Sequence, residues 1–188
     1  MRTIKLLGIA GSLRAASFSA AILESLKPGL PDTVQLALHP LDDVPLYNQD
    51  HDTDTPPAGV QTLRAAIAVA DGLVIVTPEF NYGIPGVLKN ALDWASRPHG
   101  ASSLIGKPVV TMSASPAFTG GVRAQAQLNE TLLATQSLLV ARPQVIIGEV
   151  HKKVLDGRLA DAASHDFALA AITDLVRSIE KSRQHELA

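Results

Sequence analysis

The chain of 188 residues has no cysteine, which removes disulfides, thiolate nucleophiles and cysteine-held metals. Aromatic residues make up only 4% of it against 46% hydrophobic residues overall, so alanine, valine, leucine and isoleucine must build the core. Neither sign of charge dominates: the formal net charge is −2 and the isoelectric point is near 6.3. That balance lacks the basic footprint of a nucleic-acid binder and the strongly acidic surface of a docking electron carrier. No segment reaches the roughly 18 apolar residues of a membrane span. The start, Met1-Arg2-Thr3-Ile4-Lys5, passes directly into a strand pattern without the features of a secretion signal. The expectation is a cytoplasmic protein that engages neither nucleic acid nor membrane. The six histidines (His39, His51, His99, His151, His165 and His185) show no metal-ligand spacing. Internal repeats, low-complexity stretches and linkers are also missing, and one domain over residues 1–188 is expected.

What is present is alternation. Strand-like runs occur at 3–9, 34–38, 72–77, 108–113 and 144–147. Helical patterns lie between them at 17–26, 59–70, 85–96 and 121–139. A last helix, about 161–183, carries Phe167, Ala168, Ala171, Ile172, Leu175, Val176 and Ile179 on one stripe. Strands alternating with helices imply right-handed βαβ units. The expected fold is α/β, a doubly wound parallel sheet of five strands in the order 2-1-3-4-5 with helices on both faces. In that topology the loops after the first, third and fourth strands meet where a ligand binds.

Those three loops are unusual. The first, Gly8-Ile9-Ala10-Gly11-Ser12-Leu13-Arg14-Ala15-Ala16-Ser17-Phe18-Ser19, empties an apolar strand into glycine, hydroxyls and a guanidinium just before a helix. That is an anion cradle: backbone N–H groups at a helix start, with a planar fork of donors beside them. It lacks the third glycine of a dinucleotide fingerprint and the lysine of a P-loop, which leaves a mononucleotide phosphate. The second loop, Pro78-Glu79-Phe80-Asn81-Tyr82-Gly83-Ile84-Pro85-Gly86, is stiffened by its prolines, with Pro85 placed at the first helical position. Its backbone and aromatic groups suit a flat heteroaromatic ring, while Trp94 reads as core packing. The third, Ser113-Ala114-Ser115-Pro116-Ala117-Phe118-Thr119-Gly120-Gly121, again ends a strand in hydroxyls and glycines.

Taken together, Gly11-Ser12-Leu13-Arg14 with Ser17-Phe18-Ser19, Pro78-Glu79-Phe80-Asn81-Tyr82 with Ile84-Pro85-Gly86, and Leu88-Lys89-Asn90-Ala91-Leu92-Asp93-Trp94 resemble the NADPH-dependent FMN reductase family, in its branch of bacterial quinone and chromate reductases. The resemblance runs to about Gly148. It implies a flavodoxin-like fold, bound FMN, NADPH or NADH as co-substrate, a small-molecule electron acceptor, and a homodimer or homotetramer. By position, it implies that Ser12, Arg14, Ser17, Phe18 and Ser19 hold the FMN phosphate. Pro78, Glu79, Phe80, Asn81, Tyr82 and Gly83 line the isoalloxazine, and Ser113, Ser115 and Gly120 close the third side. No residue is expected to act as acid or base, because hydride passes through the flavin itself.

The implied activity is NAD(P)H oxidation in a ping-pong scheme, with quinones, and incidentally chromate or azo dyes, as acceptors. A flavin reductase that releases reduced FMN and a flavodoxin-type carrier are the alternatives. Glu79 reads as a solvated or ribityl-facing carboxylate. Arg123 reads as an NADPH-phosphate contact, a subunit contact or a surface ion pair. The aspartate-rich segment 41–57 reads as a lid, a subunit contact or a solvated connection. The family often has asparagine at the place of Ser19 and glycine at that of Ala117; the second departure puts the path of the third loop in question.

Overall fold

The run Gly72–Thr77 forms the centre of the sheet because it is apolar, rich in β-branched side chains and buried along its whole length, the pattern of a parallel strand covered on both faces. In the computed structural model, which describes residues 2–186, this strand, β3, lies between β1 (Ile4–Ala10) and β4 (Pro108–Ala114). β2 (Val34–His39) pairs with the outer side of β1. With β5 (Leu138–Leu139) beyond β4, the order is β2-β1-β3-β4-β5, every pairing in this sheet being parallel.

Side chains alternate across the sheet, as the two-residue strand period requires. Leu7, Ile9, Leu73 and Ile75 face α2 (Ala58–Val69), α3 (Gly86–Ala95) and α4 (Val122–Ala134), meeting Leu63, Ile67, Leu88, Leu92 and Leu128. Leu6, Val74, Val76 and Met112 face α1 (Phe18–Leu26) and α6 (Ala162–Glu186), meeting Ile22, Leu23, Ile172 and Leu175. Between β6 (Val145–Ile147) and α6 lie a short helix α5 (Val150–Lys153) and the hairpin β7 (Val154–Leu155) and β8 (Arg158–Leu159).

Four expectations need correction. The fifth strand is divided: β5 (Leu138–Leu139) pairs with Pro108 and Val109, whereas β6 (Val145–Ile147) pairs with Met112 to Ala114. The helix expected to run to 139 ends at Ala134. Gln136 adopts φ 62° there, and the N–H groups of Gln136 and Ser137 return to the carbonyls of Leu133 and Leu132. That is a Schellman stop, built with glutamine where glycine is usual, so composition did not announce it. Pro85 sits one position earlier than expected: it is the N-cap of α3, and its carbonyl accepts from Leu88 and Lys89. Phe167 leaves the buried stripe of α6 and lies under the Arg142 guanidinium, 4.9 Å from its ring centre.

Candidate cofactor site

The loops after β1, β3 and β4 meet at the carboxyl edge of the sheet. Gly11 is still tied to β3 through its N–H to the Val76 carbonyl (2.9 Å). A Cβ there would lie 3.1 to 3.3 Å from Leu88, Pro78 and Thr77, so glycine lets the first loop close against the second. Beyond it, the Ser12 hydroxyl accepts from the Arg14 N–H (3.3 Å). The Arg14 guanidinium donates to the Ala16 carbonyl (2.6 Å) and lies over the Phe18 ring at 5.2 Å. Ser17 caps α1 by accepting from the Ala20 N–H (3.3 Å). Ser19, in the first turn, is buried yet makes no hydrogen bond through its hydroxyl to any described residue. The first amides of a helix have no partner within it. The edge therefore offers backbone N–H groups, free hydroxyl capacity and a guanidinium, the donor set a phosphate monoester takes.

The second loop is a tight turn. Phe80 and Gly83 exchange both backbone hydrogen bonds (3.0 and 2.9 Å), and the residues between them, Asn81 and Tyr82, have φ of 50° and 66°. Two left-handed central residues define a type I′ turn. Sequence reasoning missed it because the usual signal is Asn-Gly, and here tyrosine holds the second position. The turn leaves the N–H groups of Asn81 and Tyr82 without protein partners among the described residues, and it exposes Phe80 (63%) and Tyr82 (71%). Unpaired amides beside aromatic faces fit a flat ring with polar edges, such as the FMN isoalloxazine.

The Glu79 carboxylate is not simply solvated: Oε2 accepts the N–H groups of Arg123 (3.0 Å) and Ala124 (3.1 Å), capping α4. The helix needs this because its N-cap residue is Gly121, which has no side chain to offer. Arg123 makes no ion pair among the described residues; its guanidinium stacks on Tyr82, 4.2 Å from the ring centre. Gln127, absent from the sequence expectations, accepts the Ile84 N–H (2.7 Å).

In the third loop the side chain of Ser113 turns inward. Gln125 donates through Nε2 to the Thr111 carbonyl (3.0 Å), which fixes its amide orientation, so the Ser113 hydroxyl donates to Gln125 Oε1 (3.1 Å). Ser115 accepts from the Ala117 N–H (3.2 Å). Gly120 and Gly121 have φ of 65° and 84°, and a Cβ on Gly120 would collide with Ile146. Ala117 is not among the positive-φ residues, so alanine is accommodated where relatives often carry glycine. Trp94 is fully buried, as expected, and donates to the Pro45 carbonyl (2.8 Å). Asn90 accepts from Tyr47 N–H (2.7 Å) and donates to the same Pro45 carbonyl (2.9 Å). Segment 41–57 is thereby fastened to α3.

The chain that sets the α1 helix start and the aromatic turn side by side on a 2-1-3-4-5 sheet matches the family model of the NADPH-dependent FMN reductases over residues 4–152. The chain belongs to this family. Among FMN reductase relatives it is 40% identical over 160 residues to an NAD(P)H-dependent FMN reductase of Pseudomonas aeruginosa, covering 84% of this chain and 85% of that one. It is 34% identical to a quinone reductase of Escherichia coli, over 95% of this chain and 96% of the relative. Among solved structures, FerB of Paracoccus denitrificans, a flavoenzyme NAD(P)H:(acceptor) oxidoreductase, superposes with a TM-score of 0.83 at 30% identity, over 95% of this chain and 98% of that one. This FMN reductase family member is therefore a flavodoxin-like oxidoreductase with FMN as cofactor and NAD(P)H as co-substrate.

Proposed function

We propose that the chain reduces quinones with electrons from NAD(P)H, and that Ser12, Arg14, Ser17, Phe18 and Ser19 hold the FMN phosphate while the 78–83 turn lines the ring. The carrying observation is the pairing at one sheet edge of a helix start capped only by the neutral Ser17 hydroxyl, with Arg14 alongside, and a turn whose Asn81 and Tyr82 amides are unpaired among the described residues. Bound FMN supplies the hydride chemistry. The protein orients it: Arg14 and the start of α1 anchor one end by charge, and the amides of Asn81 and Tyr82 face the other with fixed dipoles that favour developing negative charge. Ser115 and Gly120 shape the third side; Ser113 contributes through its bond to Gln125, which holds α4 against β4.

One exposed face beside Phe80 and Tyr82 serves donor and acceptor in turn, a ping-pong order. Chromate and azo dyes fit as incidental acceptors of the same electrons. We extend the proposal to a single cytoplasmic domain that assembles as a homodimer or homotetramer, supported by exposed Phe80, Tyr82 and Phe118 (86%) at the rim. The test is the visible spectrum of the purified protein under anaerobic NADPH. Flavin bands that bleach and return on adding a quinone are expected; a protein that neither binds FMN nor oxidises NADPH overturns the proposal.

A further inference from the structure

We propose that Glu79 and Gln127 are positioning residues that hold the Asn81–Tyr82 turn in its ligand-ready shape before FMN arrives. This role rests on the turn being a wall of the FMN site, as proposed above.

Two adjacent non-glycine residues with φ of 50° and 66° are strained, and persist only where surrounding contacts outweigh the strain. The exchanged bonds between Phe80 and Gly83 close the turn but do not orient it. Orientation comes from α4. On one flank Glu79 binds two α4 amides with a single carboxylate oxygen. On the other flank Gln127, one turn further along the same helix, accepts the Ile84 N–H. Gly83 is where this side chain passes: a Cβ there would lie 2.7 Å from Gln127 Oε1. Between the flanks Arg123 lies on the Tyr82 ring. The helix itself is rigidly seated, because Gln125 binds Thr111 and Ser113 of β4 in the core. Both ends of the turn are thus tied to one fixed body, and Asn81 and Tyr82 are kept in the left-handed conformation, with their N–H groups unpaired among the described residues, instead of relaxing.

Both contacts need an acceptor oxygen, not a particular residue. Glu79→Gln and Gln127→Glu retain one, whereas Glu79→Ala and Gln127→Ala do not. Two measurements on the full chain test this: fluorescence titration of each apoprotein with FMN, and amide hydrogen exchange at Ile84, Arg123 and Ala124 without FMN. The alanine variants should bind FMN roughly tenfold more weakly and exchange those amides faster, from the loss of two charge-assisted hydrogen bonds at Glu79 or one part-buried bond at Gln127. The acceptor-retaining variants should return to within about threefold of the parent, which a general loss of stability would not produce.

FMN binding by the alanine variants equal to the parent's overturns the role, as does binding by the acceptor-retaining variants no better than alanine. If the parent itself fails to bind FMN, the site assignment falls, and the role toward FMN with it. Exchange then still reports separately whether Glu79 and Gln127 hold the loop.

Discussion

α1 and α4 start alike and end up opposite. Each follows the carboxyl end of a strand, and each carries the partial positive charge of a helix N-terminus. At α4 the protein answers that charge itself, with the Glu79 carboxylate on the amides of Arg123 and Ala124. At α1 it supplies only the neutral hydroxyl of Ser17 and places the Arg14 guanidinium alongside. One terminus is neutralised by the chain's own carboxylate; the other is not, and it is the one proposed above to take the FMN phosphate. A glycine-and-serine loop before a helix is therefore not in itself an anion site: what matters is whether the chain's own carboxylate has already taken it.

The comparison can be broken by making α1 resemble α4. Ser17→Asp keeps a capping oxygen but sets a carboxylate against the cofactor phosphate. FMN affinity should fall roughly 100-fold, about 2.7 kcal/mol, by equilibrium titration, while the apoprotein melts no lower than the parent. The second test acts on the glycine N-cap of α4. Gly121→Ala forces a side chain onto a φ of 84° and sets its Cβ 3.3 Å from both Glu79 and Ser113; a loss of about 2 kcal/mol in denaturant unfolding is expected. Arg14→Ala removes the guanidinium without adding repulsion. FMN binding should weaken roughly tenfold, with steeper loss at low ionic strength than at high, because the missing contribution is screened by salt.

The smallest effect is a control at the opposite edge of the sheet. Burial raises the carboxyl of Asp71, but the Lys5 N–H and the charges of Arg183 and Arg2 outweigh it and hold the group below the ordinary carboxylate range. A lowered folded-state value means that its stabilisation is complete above the unfolded value and lost as pH falls through the folded one. Asp71→Asn should flatten the acid limb of the stability profile and leave FMN affinity at neutral pH unchanged.

Much of the fold was legible in the sequence because burial on both faces of a parallel sheet demands continuous apolar runs; 72–77 was readable residue for residue. The end of α4 at Ala134 was not, because Gln136 takes a left-handed conformation that glutamine does not advertise. The same holds at the site. The proposed phosphate cradle stood out as glycine, serine and arginine next to a strand, whereas the type I′ turn was hidden by a tyrosine in a glycine's place. Gln127 carried no local signal at all, since its partner Ile84 is distant in the chain.

The sequence by itself determined which residue types stand at the carboxyl ends of the strands, because strand and helix periods are local and hydrophobic burial enforces them. Only the tertiary structure decided that Glu79 caps α4, that Ser113 turns inward and that Asn81 and Tyr82 are held in strained conformations. Those outcomes depend on hydrogen bonds between segments far apart in the chain, and such bonds exist only after the sheet has brought its loops to one edge.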